Sequence, residues 1–262
     1  MIYDSNIYNF FSEKINEFKN IKLTDEIKRY ETPKHVAIIM DGNRRYAKEL
    51  GLNPKAGHFI GKEKIREVLE WCFELEIKNL TVYAFSTENF DRSSDEVNVL
   101  MELCRNELDK AEKDSRIHSN KVRVRIIGQI NSLPKNIADS AKKIMESTKK
   151  YDKYSFNIAL AYGGREEIIQ AIKKIALDVK EDKIKIDEIK EAIVSKYLYT
   201  NGLPDPDIIL RTSGEERISN FLLWQIAYSE LYFSDVYWPA FQKRDFLKAI
   251  QTVQKRNRRF GK

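Results

Sequence analysis

The chain has 262 residues, with 46 Lys+Arg against 40 Asp+Glu, a formal charge of +6 at pH 7 and 42% hydrophobic residues. That apolar share supplies a substantial core and excludes disorder as the main state, and a chain one-third charged reads first as a solvated Lys/Glu surface. No strictly apolar run exceeds the five residues from Val36 to Met40, which excludes a membrane-spanning helix, and the N-terminus lacks the basic-then-apolar order of a secretory signal.

In chain order, residues 1–30 carry Ile7, Phe11, Ile15, Phe18 and Ile21 at helical spacing, which predicts an N-terminal amphipathic extension. Its apolar face packs on the body of the protein or, alternatively, meets a membrane surface. Residues 31–262 then alternate short β-rich runs with amphipathic stretches. Strands are predicted at 35–40, 80–85, 122–127, 155–161, 207–211 and 231–233, and helices near 60–75, 95–114, 136–149, 165–179 and 186–198. Several strands are apolar almost throughout, as strands covered on both faces must be. The expectation is a single α/β domain with a mostly parallel central sheet of about six strands flanked by helices. A basic helix from Arg244 to Phe260 ends the chain. Cys72 and Cys104 sit in helical patterns without ligand spacing, which suits core packing, a reducing compartment and a cytoplasmic location.

Ligands of open α/β sheets bind beyond the carboxyl ends of strands. The first strand ends in Asp41-Gly42-Asn43-Arg44-Arg45, which reads as a carboxylate, a backbone-approach glycine and a helix start carrying two arginines. Such a set suits a diphosphate with Mg²⁺ bridging to Asp41, or else a capping turn with surface arginines. The second strand leads into Ser86-Thr87-Glu88-Asn89-Phe90-Asp91-Arg92, where Ser93 and Ser94 also make good helix caps. The fifth leads into Arg211-Thr212-Ser213-Gly214-Glu215-Glu216-Arg217-Ile218-Ser219. Three arginine-bearing loops at three strand ends point together to a phosphate site. No Gly-x4-Gly-Lys-Ser/Thr or Gly-x-Gly-x-x-Gly loop is present, so a nucleotide fingerprint does not explain them.

The runs from His35 to Lys48, Gly57-His58, Tyr83 to Asn89, Asn157 to Arg165, Pro206 to Gln225, Ser229 to Phe233 and Trp238-Pro239 resemble, in order, the signatures of the cis-prenyltransferases, the undecaprenyl diphosphate synthase family. The resemblance covers the chain from about residue 33 to 261. It implies repeated addition of isopentenyl diphosphate, in cis geometry, to an allylic diphosphate, with Mg²⁺ as cofactor. Position by position, it implies Asp41 and Asn89 as catalytic residues. It implies Asp41 and Glu230 as metal carboxylates. Gly42, Asn43, Arg44, Arg45, Tyr46, Lys55 and His58 fall at the allylic diphosphate, and Ser86, Thr87, Glu88 and Phe90 in the condensation loop. Arg92, Arg211, Arg217, Ile218 and Ser219 fall at the isopentenyl diphosphate. Asn89 matches the family's proton acceptor, but an amide is a weak base and orientation of a phosphate or water suits it better. Ala84, Phe85, Val97, Leu100 and Met101 are candidates for the wall of an apolar tunnel, or for plain core packing.

Lys55 stands where many members carry an arginine. Arg44, Tyr46 and the loop from Tyr199 to Pro204 resemble archaeal and eukaryotic members, which implies an archaeal-type enzyme with a geranylgeranyl or farnesyl primer and a product used as a glycosyl carrier lipid. Arg259-Phe260-Gly261 resembles a C-terminal motif that reaches across a homodimer. Two other readings remain: a non-catalytic subunit of a heteromeric prenyltransferase, and a basic nucleic-acid- or anion-binding module. The second leaves Asp41 and Glu230 without a purpose, so no nucleic-acid partner is expected.

Overall fold

The computed structural model describes residues 5–257, with side chains over 14–256. The C-terminal Arg259-Phe260-Gly261 and the side chains of Ile7 and Phe11 lie outside the described residues. In chain order the elements are helix α1 (Ser5–Lys28), strand β1 (His35–Ile39), helices α2 (Asn43–Glu49) and α3 (Ala56–Glu74), strand β2 (Asn79–Ser86), and helices α4 (Ser94–Ala111) and α5 (Ser115–Ser119). Strand β3 (Val122–Ile127), helix α6 (Lys135–Thr148), strand β4 (Tyr154–Tyr162) and helices α7 (Gly164–Lys180) and α8 (Glu191–Tyr197) follow. Strands β5 (Ile208–Arg211) and β6 (Glu230–Phe233) and helix α9 (Lys243–Asn257) complete the described residues. All six strands form one sheet in the order β3-β4-β2-β1-β5-β6, and every pairing is parallel.

β1 is central because nothing in it needs water: Val36, Ala37, Ile38 and Ile39 are buried, and alternate residues feed two different cores. Val36 and Ile38 face the larger core, with Trp71, Leu108, Ile144 and Phe246 from the helices on that side. Ala37 and Ile39 face a smaller one with Tyr162, Phe221 and Leu222. The adjacent strands β2, β1 and β5 release their loops side by side, because the register pairs Ile39 with both Tyr83 and Arg211. This brings the three arginine-bearing loops together.

The N-terminal helix forms, but its expected apolar face does not pack. Ile15, Phe18 and Ile21 are exposed, and α1 docks on α9 through Leu23, Thr24 and Ile27 in its last turns. Gln254 seals the junction by donating to the carbonyls of Ile27 and Glu31 at 3.1 and 3.0 Å. No helix among the described residues is long and apolar enough to cross a membrane.

Candidate active site

Asp41 lies two residues beyond β1 and is held from all sides. Its backbone is locked to Thr212, whose hydroxyl lies 2.9 Å from the Asp41 N–H and 2.7 Å from its carbonyl. Its carboxylate accepts from Arg211 Nη2 at 2.7 Å and from the Gly42 N–H at 2.6 Å, with Arg45 3.4 Å away. Burial alone would raise the Asp41 pKa. The Arg211 and Gly42 hydrogen bonds and the charges of Arg211 and Arg45 outweigh it and hold the group below its usual range, ionised. Gly42 adopts φ +95°, and a Cβ there would stand 2.6 Å from the Tyr237 ring, so both conformation and space demand glycine.

Asn43 opens α2, donates to the Met40 carbonyl at 3.0 Å and keeps its buried Oδ1 without a partner. Arg45 reaches Ser213 Oγ at 2.7 Å and Glu215 at 2.9 Å, and lies over the Tyr237 ring. Arg44 is half-exposed, 3.6 Å from Glu96. Glu96 also accepts from Arg92 at 2.7 Å and lies 3.8 Å from His58 Nε2, too far to bond, so that buried ring nitrogen is unpartnered. Burial and the charges of Arg92 and Arg44 lower the His58 pKa to about 4, against a weaker opposing pull from Glu96. The ring is neutral at ordinary pH.

On the β2 loop, Ser86 and Asn89 form a capping box: Asn89 Oδ1 accepts the Ser86 N–H at 3.1 Å. That occupies the amide oxygen and leaves the NH₂ group for the cavity that Asn89 lines. Glu88 accepts from Asn220 at 2.8 Å and from Thr87 at 3.1 Å. Burial opposes its ionisation, but its hydrogen bonds prevail and lower its pKa. Arg211 is nearly fully buried. It donates to Ser219 Oγ at 2.8 Å and to the Arg217 carbonyl, while its Nε has no partner. Ser213, Ser219, Asn220 and Leu222 all adopt left-handed φ of +46° to +79°. Such strain in non-glycine residues concentrates at ligand-binding loops.

These loops rim a cavity of about 980 Å³ that runs beneath α3 and α4 along β2 and β4. Its mouth is polar. Asp41, Gly42, Asn43, Arg44, Arg45, His58, Ser86, Glu88, Asn89, Arg92, Arg211, Arg217 and Ser219 all line it. Its depth is apolar, walled by Ile65, Leu69, Phe73, Leu103 and Leu108 among others. Of the tunnel candidates, Ala84 and Leu100 line it. Phe85 and Met101 are buried core, and Val97 is partly buried against that core outside the lining.

Six expected residues do not line the cavity. Tyr46 stacks edge-on against Tyr237, Thr87 serves Glu88, and Phe90 packs edge-on against Phe85. Lys55 caps α3 with its neighbour Pro54 in the lining instead, and Ile218 is half-buried outside the lining. Glu230 stands apart from the other expected residues. It begins β6, opposite Ile208 and thus level with Val36, at the amino end of the sheet. Asp41 lies beyond the carboxyl end, five residues or about 16 Å along the strand direction. Glu230 instead accepts from Arg256 at 2.9 Å, so Asp41 and Glu230 of one chain do not share an ion. Asn220, Glu96 and Glu215 also contribute; Glu215 and Asn220 fall in or beside the Arg211 loop that the sequence singles out, but nothing local assigns any of the three a partner.

No group of three or more His, Cys, Asp or Glu gathers into a cation site among the described residues. The ionised Asp41 at the mouth, ringed by arginines, fits Mg²⁺ only in its usual mode of one protein carboxylate plus substrate phosphates.

A rim of arginines with the carboxylates Asp41 and Glu88 over a deep apolar cavity, at the carboxyl end of a parallel sheet, fits an enzyme that holds a substrate with a charged head and an apolar tail. A family described as putative undecaprenyl diphosphate synthase matches residues 39–261. The chain belongs to this family and is a cis-prenyltransferase. A Thermoplasma volcanium protein named tritrans,polycis-undecaprenyl-diphosphate synthase (geranylgeranyl-diphosphate specific) is 55% identical over 240 residues, covering 92% of this chain and 93% of its own. The Pyrococcus furiosus protein of the same name is 52% identical over 258 residues, 98% of each chain. Among solved structures, lavandulyl diphosphate synthase from Lavandula x intermedia, in complex with dimethylallyl diphosphate, superposes with a TM-score of 0.82 at 35% identity, covering 85% of this chain and 95% of that one. A probable undecaprenyl diphosphate synthase from Campylobacter jejuni gives 0.72 at 36%, covering 89% and 100%.

Proposed function

We propose that this chain extends geranylgeranyl diphosphate by successive cis additions of isopentenyl diphosphate, yielding a long-chain polyprenyl diphosphate that serves as the precursor of a glycosyl carrier lipid. The observation that carries the reading is the continuity of the arginine-lined mouth with the apolar cavity of about 980 Å³. The geranylgeranyl specificity in the names of the archaeal relatives supports that primer over farnesyl diphosphate.

In this reading Gly42, Asn43, Arg44 and Arg45 hold the allylic diphosphate, with the unpartnered Asn43 Oδ1 and His58 Nε2 beside it. Departure of that diphosphate leaves positive character on carbon and concentrates negative charge where the arginines stand, ready-oriented and partly shielded from water. Mg²⁺, held by Asp41 and the substrate phosphates, supplies further stabilisation of the leaving charge when bound. Arg92, Arg211, Arg217 and Ser219 take the isopentenyl diphosphate. Asn89, its oxygen committed to Ser86, donates its NH₂ to a phosphate or a water rather than removing the proton. The elongating tail descends between α3, α4 and the sheet. Two such chains form a homodimer in this reading. The exposed Ile169 and Ile172 on α7, with Tyr228 and Leu231 around β6, supply the apolar surface for it, which sedimentation of the full chain would check.

The test is incubation of the purified chain with labelled isopentenyl diphosphate and either geranylgeranyl or farnesyl diphosphate, with and without Mg²⁺. A long product formed only with Mg²⁺, and best from geranylgeranyl diphosphate, is the expected result. No product from either primer would overturn the reading and favour a non-catalytic subunit.

A further inference from the structure

α3 and α4 both line the cavity, yet the packing that fixes each of them lies elsewhere. α3 rests on α2 and α9, and α4 rests on α6. What joins the two helices across their seam is charge. Glu107 of α4 accepts from Lys62 at 3.1 Å and from Arg66 at 3.0 Å, both on α3, and from Lys110 of its own helix at 2.9 Å. Lys62, Arg66 and Glu107 all border the cavity, and their side chains are only 20%, 34% and 25% exposed. Burial resists ionisation of Glu107, but Lys110 and Lys62 outweigh it and keep the carboxylate charged.

The sequence of α3 explains the arrangement. His58, Lys62, Arg66 and Glu70 recur every four residues and follow one side of the helix, while Ile65, Leu69 and Phe73 recur every four on the adjacent side. One row faces the hydrocarbon space and the other faces the seam. A hydrocarbon chain pressing outward meets ionised groups that lose hydration against it and gain nothing in return.

We propose that Glu107, by clamping Lys62 and Arg66 across the seam between α3 and α4, keeps the growing apolar chain inside the cavity and thereby sets the length distribution of the product. Glu107 is a specificity-determining residue remote from the diphosphates. The role rests on the polyprenyl-elongation reading above. Without the clamp the tail slips out sideways between the helices and growth stops early.

The full chain and two independent variants test this: Glu107→Ala, and the double variant Lys62→Met with Arg66→Met, which breaks the same clamp from the other helix. Each is given labelled isopentenyl diphosphate and geranylgeranyl diphosphate. Chain lengths are read by chromatography, the first condensation in a single turnover, and folding by thermal unfolding. Partly exposed ion pairs are individually weak, so the share of chains released shorter than the main wild-type product should rise roughly three- to tenfold in both variants. The first condensation should stay within about twofold, since the mouth is untouched, and Glu107→Asp should restore the wild-type distribution. An unchanged distribution in folded variants, or a shift to longer chains, would overturn the proposal. Should Glu107→Ala not fold, the double variant carries the same test. A wild type that elongates normally beside unchanged variants refutes only the clamp, whereas a wild type that does not elongate refutes the elongation reading and the clamp with it.

Discussion

His35 is fully buried and His58 largely so, and burial lowers both to a pKa of about 4, yet they sit at opposite ends of the same sheet and do opposite things. At the amino end, His35 is fully partnered. Its Nδ1 lies 2.7 Å from the Pro204 carbonyl, which can only accept, so that nitrogen carries the proton and Nε2 accepts from the Thr81 hydroxyl at 2.7 Å. Thr81 in turn accepts from Asn157, and Asp207 caps the start of the strand by accepting the Lys34 and His35 N–H groups at 2.7 and 2.8 Å. At the carboxyl end, His58 Nε2, Asn43 Oδ1 and Arg211 Nε are buried without partners. A saturated polar cluster holds strands together, and a less saturated one at the mouth of a cavity waits for a ligand.

Substitutions should separate the two ends. Arg211→Lys removes a fork that grips Asp41, Ser219 and the Arg217 carbonyl at once, and turnover should fall on the order of 10²- to 10³-fold. His58→Ala should lower turnover on the order of tenfold to 10²-fold while thermal stability holds, since no hydrogen bond of the folded chain is lost at Nε2. His35→Ala should do the reverse. It strands Thr81 and the Pro204 carbonyl, at a cost of about 2–3 kcal/mol in denaturant unfolding with turnover retained. If His35→Ala abolished turnover in a well-folded protein, the contrast between the two ends would collapse.

Acid sharpens the same contrast. Both histidines have folded-state values near 4, below the 6.5 of an unfolded chain, so between those pH values the unfolded state binds more protons. Stability is therefore undiminished by them above pH 6.5 and declines as pH falls towards 4, by at most about 3 kcal/mol for each histidine. His58→Gln should remove its share of that slope and leave the His35 share, which unfolding curves at about pH 7 and about pH 4.5 would resolve. The smallest effect belongs to Lys55→Ala. Lys55 caps α3 outside the cavity lining, so turnover should change by less than about threefold.

Much of this architecture is legible in the amino-acid sequence. Continuous apolar runs such as Val36 to Met40 mark the strands, because a strand covered on both faces has no solvent side to record. The loops at Asp41, Ser86 and Arg211 stand out because each follows a strand, and in a parallel sheet all such loops emerge at one end. The same rule sets Glu230 apart, since it opens its strand, but the matching of motifs along a sequence carries no direction. The exposed stripe of Ile15, Phe18 and Ile21 shows another boundary. Helical periodicity identifies an apolar face and not what covers it. Glu96, Glu107 and Asn220 are illegible for a different reason, because beside any local partner each also meets residues on elements far away in sequence. Glu107 lies 41 and 45 residues from its two partners on α3.

The central claim is that the carboxylate at the end of β1 serves the reaction and not the fold. Asp41→Ala tests it most directly, with isopentenyl diphosphate incorporation and thermal unfolding measured on the same sample. Turnover reduced on the order of 10³-fold, with the unfolding midpoint close to that of the wild type, is the result predicted. Near-normal turnover with folding intact would contradict it.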